Sequence, residues 1–101
     1  MYSKFIIVSS PGERGGYLRL GSCINHRDLV IGYEKVHGGG WYLQDDEKKS
    51  ITLYGSSCDY GDPKLGLIDS IDREFRDYSF WFTPYIGCPP NPLDMSHVRW
   101  I

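Results

Sequence analysis

A glycine-bounded stretch from Gly38 to Gly61 constrains this chain more than any other. It opens on Gly38-Gly39-Gly40 and reads as a β-hairpin. The first arm, Gly39 to Gln44, carries Trp41 and Tyr42. The run Asp45-Asp46-Glu47-Lys48-Lys49 is too polar to bury and supplies the turn. On the return arm, Ser50 to Tyr54, Ile51 and Leu53 alternate with Thr52 and Tyr54, the period-two pattern of a half-buried strand. Tyr54-Gly55-Ser56-Ser57-Cys58-Asp59-Tyr60-Gly61 follows. Glycine and serine there allow backbone N–H groups to turn outward together, the arrangement that cradles anions. The plainer reading of the same residues is a tight, glycine-permitted turn.

The flanking chain divides around this hairpin. Lys4-Phe5-Ile6-Ile7-Val8 is continuously apolar after its lysine and predicts a central strand. Ser9 to Gly16 is a loop by its Pro and Gly content, and Tyr17 to Gly21 a short second strand. Asn25 is placed to cap a short helix from His26 to about Tyr33. Asp62-Pro63 has the form of a helix start, and Leu65, Ile68, Ile71 and Phe75 recur at three- and four-residue spacing, which predicts a helix to about Arg76. Tyr78 to Thr83 reads as a strand stopped by Pro84. The organisation expected is one domain over residues 1–101, with a core of about 2–84 and a proline-rich tail over 85–101 that packs through Trp100.

Composition narrows the function classes. With 11 basic and 13 acidic side chains the net charge is −2, and no basic stripe is present, which argues against nucleic acid as a partner. Phe5 to Val8 is too short for a signal peptide, and no segment has membrane-spanning length. Cys23, Cys58 and Cys88 are odd in number, widely spaced and without a C-x-x-C, as expected in a reducing cytoplasm.

Local chemistry alone defines no activity. His26 lies near an expected helix start beside Arg27 and Asp28; a neutral imidazole is the most useful base near neutral pH, yet a lone histidine is usually structural. His37 and His97 read as surface or half-buried side chains. Cysteine-phosphatase spacing is absent: Lys64, Leu29 and Asp94 stand where an arginine would follow Cys58, Cys23 and Cys88. Asp45-Asp46-Glu47 is a solvated hairpin tip before it is a cation site, and no converging metal ligands are found. The glycine triplet is followed by neither Lys-Ser/Thr nor a helix, so it is not a P-loop.

Taken in order, the features carry a resemblance. Lys4 opens the first strand, His26 stands before the mid-chain region, Gly38-Gly39-Gly40 follows, and the next strand ends Tyr54-Gly55-Ser56-Ser57-Cys58-Asp59-Tyr60-Gly61. Ile71 to Trp81 then matches in composition and place. This order resembles the small phosphohistidine phosphatase family, also called Janus/Ocnus, over roughly residues 3–83; Tyr54 to Gly61 is its most specific part. The resemblance implies an α+β fold, a single mixed β-sheet flanked by two short helices. It implies a metal-independent phosphatase site without a cofactor, with His26 as general base or nucleophile. Phosphate would be bound by Lys4 and by the loop Ser57, Cys58 and Asp59, mainly through backbone N–H groups. A phosphorylated protein would be the partner. The family can place an arginine directly after the triple glycine; this chain has Trp41 there, and Asp59 brings a carboxylate into the expected anion loop.

Three functions stay open on these grounds. One is a phosphohistidine-phosphatase-like hydrolase. The second is a non-catalytic phosphate- or protein-binding module on the same scaffold. The third is an interaction protein using exposed aromatics such as Trp41 and Trp100. Catalysis requires His26 near Lys4 and Ser57, whereas an interaction module needs only an exposed apolar patch.

Overall fold

A computed structural model describes residues 2–101. Eight strands follow one another along the chain: β1 (Tyr2–Ser9), β2 (Gly16–Cys23), β3 (Lys35–Asp45), β4 (Ser50–Tyr54), β5 (Ile68–Ile71), β6 (Ser79–Thr83), β7 (Asn91–Pro92) and β8 (Arg99–Trp100). They join in one mixed sheet of order β7-β6-β4-β3-β1-β2-β5-β8. The apolar run of β1 is central, hydrogen-bonded antiparallel to both β2 and β3. β4 returns antiparallel to β3 through the charged turn, where Lys49 takes a left-handed φ of 51°. β6 runs parallel to β4, and β5 parallel to β2.

The two expected flanking helices do not exist. Among the described residues the only helical pieces are 3-10 turns at His26–Leu29, Leu65–Leu67 and Arg73–Phe75. After His26–Leu29 the β-branched pair Val30-Ile31 and a left-handed Gly32 (φ 59°) stop propagation. In the second region, Gly66 sits inside the apolar period, and the β-branched Ile68 and Ile71 extend as β5 to give β2 a partner. The same side chains are still buried: Ile68, Ile71 and Phe75 all belong to the core. The fold is therefore a mixed β-sheet fold with 3-10 connections rather than α+β.

The core lies on one face of the sheet. Phe5, Leu18, Leu53, Ile71 and Phe80 pack there, and each such side chain contributes about 1.5–3 kcal/mol of apolar burial. The tail closes over it: Val98 is buried, while Leu93, Met95 and Trp100 pack against the cluster. Seven residue steps separate Pro92 of β7 from Arg99 of β8, a span of at most about 25 Å. Those strands stand at opposite edges of eight strands, which laid flat would be about 34 Å apart. The sheet must curl to bring them within reach. No helix among the described residues is long and apolar enough to cross a membrane.

Candidate functional site

The glycine triplet explains how the site is held. Strand β3 passes beneath the loop after β4, and neither neighbour leaves room for a side chain. Gly38 adopts φ 91°, and a Cβ there would collide with the carbonyl of Asp62. A Cβ on Gly40 would come to 2.5 Å from the carbonyl oxygen of Tyr54 and 2.9 Å from the Phe5 ring. The loop is tied down by the Gly39 amide donating to Gly61 O at 3.3 Å and the Lys64 amide to His37 O at 3.0 Å.

His26 comes to the same place from the other side. The Asn25 amide donates to the Asp28 carboxylate at 2.9 Å, and the Asp28 amide to Asn25 O at 3.0 Å, closing the turn that presents His26. Its ring is buried, 4% exposed, with Nε2 2.7 Å from the carbonyl oxygen of Gly40. A carbonyl only accepts, so Nε2 carries the proton, and in the neutral ring Nδ1 holds the lone pair. Arg19 of β2 fixes the following segment, donating to Leu29 O at 2.8 Å and forking onto Glu34 at 2.5 and 2.8 Å.

Lys4 is buried on β1, and its ammonium donates to the carbonyl of Ile24. The Nζ lies 4.5 Å from the Trp41 ring centroid and 5.5 Å from that of Tyr2, so two aromatic faces replace part of its lost hydration. Trp41 also meets the His26 ring edge-to-face at 5.8 Å between centroids. Register makes this possible, since Lys4 and Trp41 are cross-strand partners.

The result is a cavity of about 220 Å³ lined by Lys4, Asn25, His26, Trp41, Ser56, Cys58 and Asp59. Four of the five residues singled out in the sequence meet there. Ser57 does not line it: it is buried, and its Oγ accepts from the amides of Asp59 and Tyr60, both at 3.2 Å. The Ser57 amide donates to Gly61 O at 3.2 Å. Of the three loop amides expected to face an anion, two are thus engaged within the turn, and only that of Cys58 lies outside these bonds. Ser57 organises the loop, while Ser56 and Cys58 present it.

Other sequence candidates lie elsewhere. His37 Nε2 is 2.8 Å from Ser9 Oγ; burial, with Lys35 and Lys64 nearby, holds its imidazole below the usual range. His97 donates to Ile68 O at 2.9 Å and anchors the tail. Cys23 is buried, which pushes its thiol up, against a smaller opposing pull from Lys4. Trp100 is half-buried against the core. Among the described residues, no three His, Cys, Asp or Glu side chains gather as a metal cluster. Tyr2, Asn25 and Ser56 are not among the site residues expected from the sequence: Asn25 stands there only as a helix cap beside His26, and Ser56 only within the Gly-Ser turn.

No protein-family model matches the chain, and no curated protein matches it.

Proposed function

We propose that this chain is a phosphohistidine-phosphatase-like hydrolase acting on a phosphorylated protein in the cytoplasm. The observation that carries the proposal is the meeting of His26, Lys4 and the Cys58 loop on one small cavity, with His26 oriented by Gly40. In this reading Nδ1 of neutral His26 takes the proton from an attacking water. The water oxygen bonds to phosphorus as the P–N bond breaks, the bond pair stays on the substrate nitrogen, and His26 returns the proton to that nitrogen so that neutral imidazole leaves. Lys4 and the Cys58 amide neutralise the phosphoryl oxygens. Direct attack by Nδ1, with water resolving a phosphoenzyme, uses the same groups. The cysteines, all free, agree with a reducing compartment.

A non-catalytic binding module is favoured by a specific observation as well. Lys4 already bonds Ile24 O, and Asp59 adds a carboxylate to the lining where a second cation would strengthen anion capture. The test is phosphate release from phosphohistidine in metal-free buffer, comparing wild type with His26→Ala. Loss of a general base should lower the rate about 10²–10⁴-fold. Release that is equal in both proteins removes His26 from the chemistry; no release from either leaves the binding module.

A further inference from the structure

The cavity adjoins a particular sheet face: Trp41, in its lining, is the cross-strand partner of Tyr54. Register aligns Lys4, Trp41, Tyr54 and Thr83 in one cross-strand row, and Leu43, Thr52 and Trp81 in the next row on the same face. The alternate residues, including Tyr42, Leu53 and Phe82, point to the core. Near His26 the face is covered; beyond Trp41, Leu43 is exposed and Tyr54, Thr52 and Trp81 are half-buried, while Thr83 at the far end of the first row is buried. A hollow of about 210 Å³ lies beside Leu43 and Tyr54, and a second of about 350 Å³ lies over Trp81. They share Thr52 and Pro90, so they form one groove. Leu43 is 52% exposed. Lys48 stands at the far end, and neither hollow has a carboxylate in its lining. Asp46 is turned away, accepting from Tyr78, which packs on the core side.

We propose that this groove docks an extended segment of the phosphoprotein substrate, next to its phosphorylated residue. The proposal rests on the hydrolase reading for the position of the phosphoryl group. Adjacency to the cavity through the Trp41–Tyr54 pair, the absence of a carboxylate from the lining and the charge of Lys48 set the chemistry of the occupant. Leu43 lies two residues along β3 from Trp41, and Ser50, which lines the Lys48 hollow, four residues along β4 from Tyr54. An extended peptide advances at the same rate, about 3.3 Å per residue. It therefore brings an apolar side chain to the first hollow about two residues from the phosphoresidue, and an acidic one toward Lys48 about four residues away.

The test uses phosphohistidine peptides with Leu two residues and Glu four residues from the phosphoresidue, placed on either side, against a control with Ser at both positions and against free phosphohistidine. The better Leu/Glu peptide should exceed the control in kcat/KM by about tenfold, the effect of one well-filled pocket. Leu43→Glu should remove that gain. Lys48→Glu should reduce it, as should added salt. Neither variant should change turnover of free phosphohistidine. Equal kcat/KM for the two peptides, or a gain that survives both substitutions, overturns the groove while leaving the hydrolase reading in place. If no substrate is hydrolysed, the hydrolase reading has failed, and anisotropy of the labelled Leu/Glu peptide decides the groove: binding lost in Leu43→Glu supports it, and no saturable binding overturns it. Sedimentation showing a wild-type dimer that Leu43→Glu dissolves would assign the face to a second copy and overturn the proposal.

Discussion

His26 Nε2 donates to the carbonyl oxygen of Gly40 across 2.7 Å, inside the protein and away from water. This bond fixes ring tautomer and orientation together, and it gives His26 a structural cost on removal that is separable from chemistry. His26→Ala removes this donor from the buried Gly40 carbonyl, which should cost about 1 kcal/mol. Urea unfolding of His26→Ala and His26→Gln checks this: Gln, with an amide donor, should recover part of the loss while leaving hydrolysis absent.

Gly38 should not tolerate alanine. Its φ of 91° and the approach of the Asp62 backbone penalise any Cβ, by about 2 kcal/mol or more. For a domain of this size that lowers Tm by roughly 8–16 °C. The comparison is Gly12→Ala, where φ is also positive but a Cβ meets nothing within 4 Å; calorimetry should show a clearly smaller shift there.

The Arg19–Glu34 pair should make stability depend on pH. Arg19 holds the Glu34 carboxyl below the usual carboxylate range, so the folded value lies below the unfolded one. The contribution is complete above the unfolded value, about 4.3, and is lost as pH falls through the lower folded value. Wild type should exceed Glu34→Gln by about 1 kcal/mol at neutral pH. The gap should close on acidification, read by denaturant titrations across that range.

With phosphate bound in the cavity as proposed, Trp41 would occupy the place where a cation could meet it directly. Trp41→Arg should bind inorganic phosphate severalfold more tightly than wild type, each charge-assisted hydrogen bond contributing about 1.5–3 kcal/mol before the lost aromatic packing is subtracted. Calorimetric titration with phosphate is the measurement. Unchanged or weaker binding would mean that Trp41 stabilises the site mainly by sheltering Lys4.

Much of the strand content was legible, for definite reasons. Ser50 to Tyr54 alternates cleanly and is β4 at those limits; Phe5 to Val8 is apolar throughout because β1 is covered on both faces. The helix expected over 63–76 failed because three- and four-residue spacing is also satisfied by 3-10 turns flanking a short strand, provided that a neighbour offers an open edge. That neighbour, β2, lies some fifty residues earlier in the chain, so no local pattern could announce the pairing. His26, Lys4 and Cys58 could be nominated from residue type and order. The inward Oγ of Ser57 could not, since the same Gly-Ser sequence permits amides to face either way. Trp41 over Lys4 follows from the β1–β3 register, which only the assembled sheet defines.

Both outermost strands come from one late segment, with β7 pairing only Trp81 and Phe82, and β8 only Ser70 and Ile71. Until that segment is in place, β6 and β5 each present unpaired backbone, the surface on which foreign strands accrete. The finished molecule covers part of these edges and leaves only two-residue strands outermost; the unfinished one carries the liability in full. Its hazard is therefore a matter of timing, greatest during synthesis and refolding, when sequence-distant edges await the same few residues.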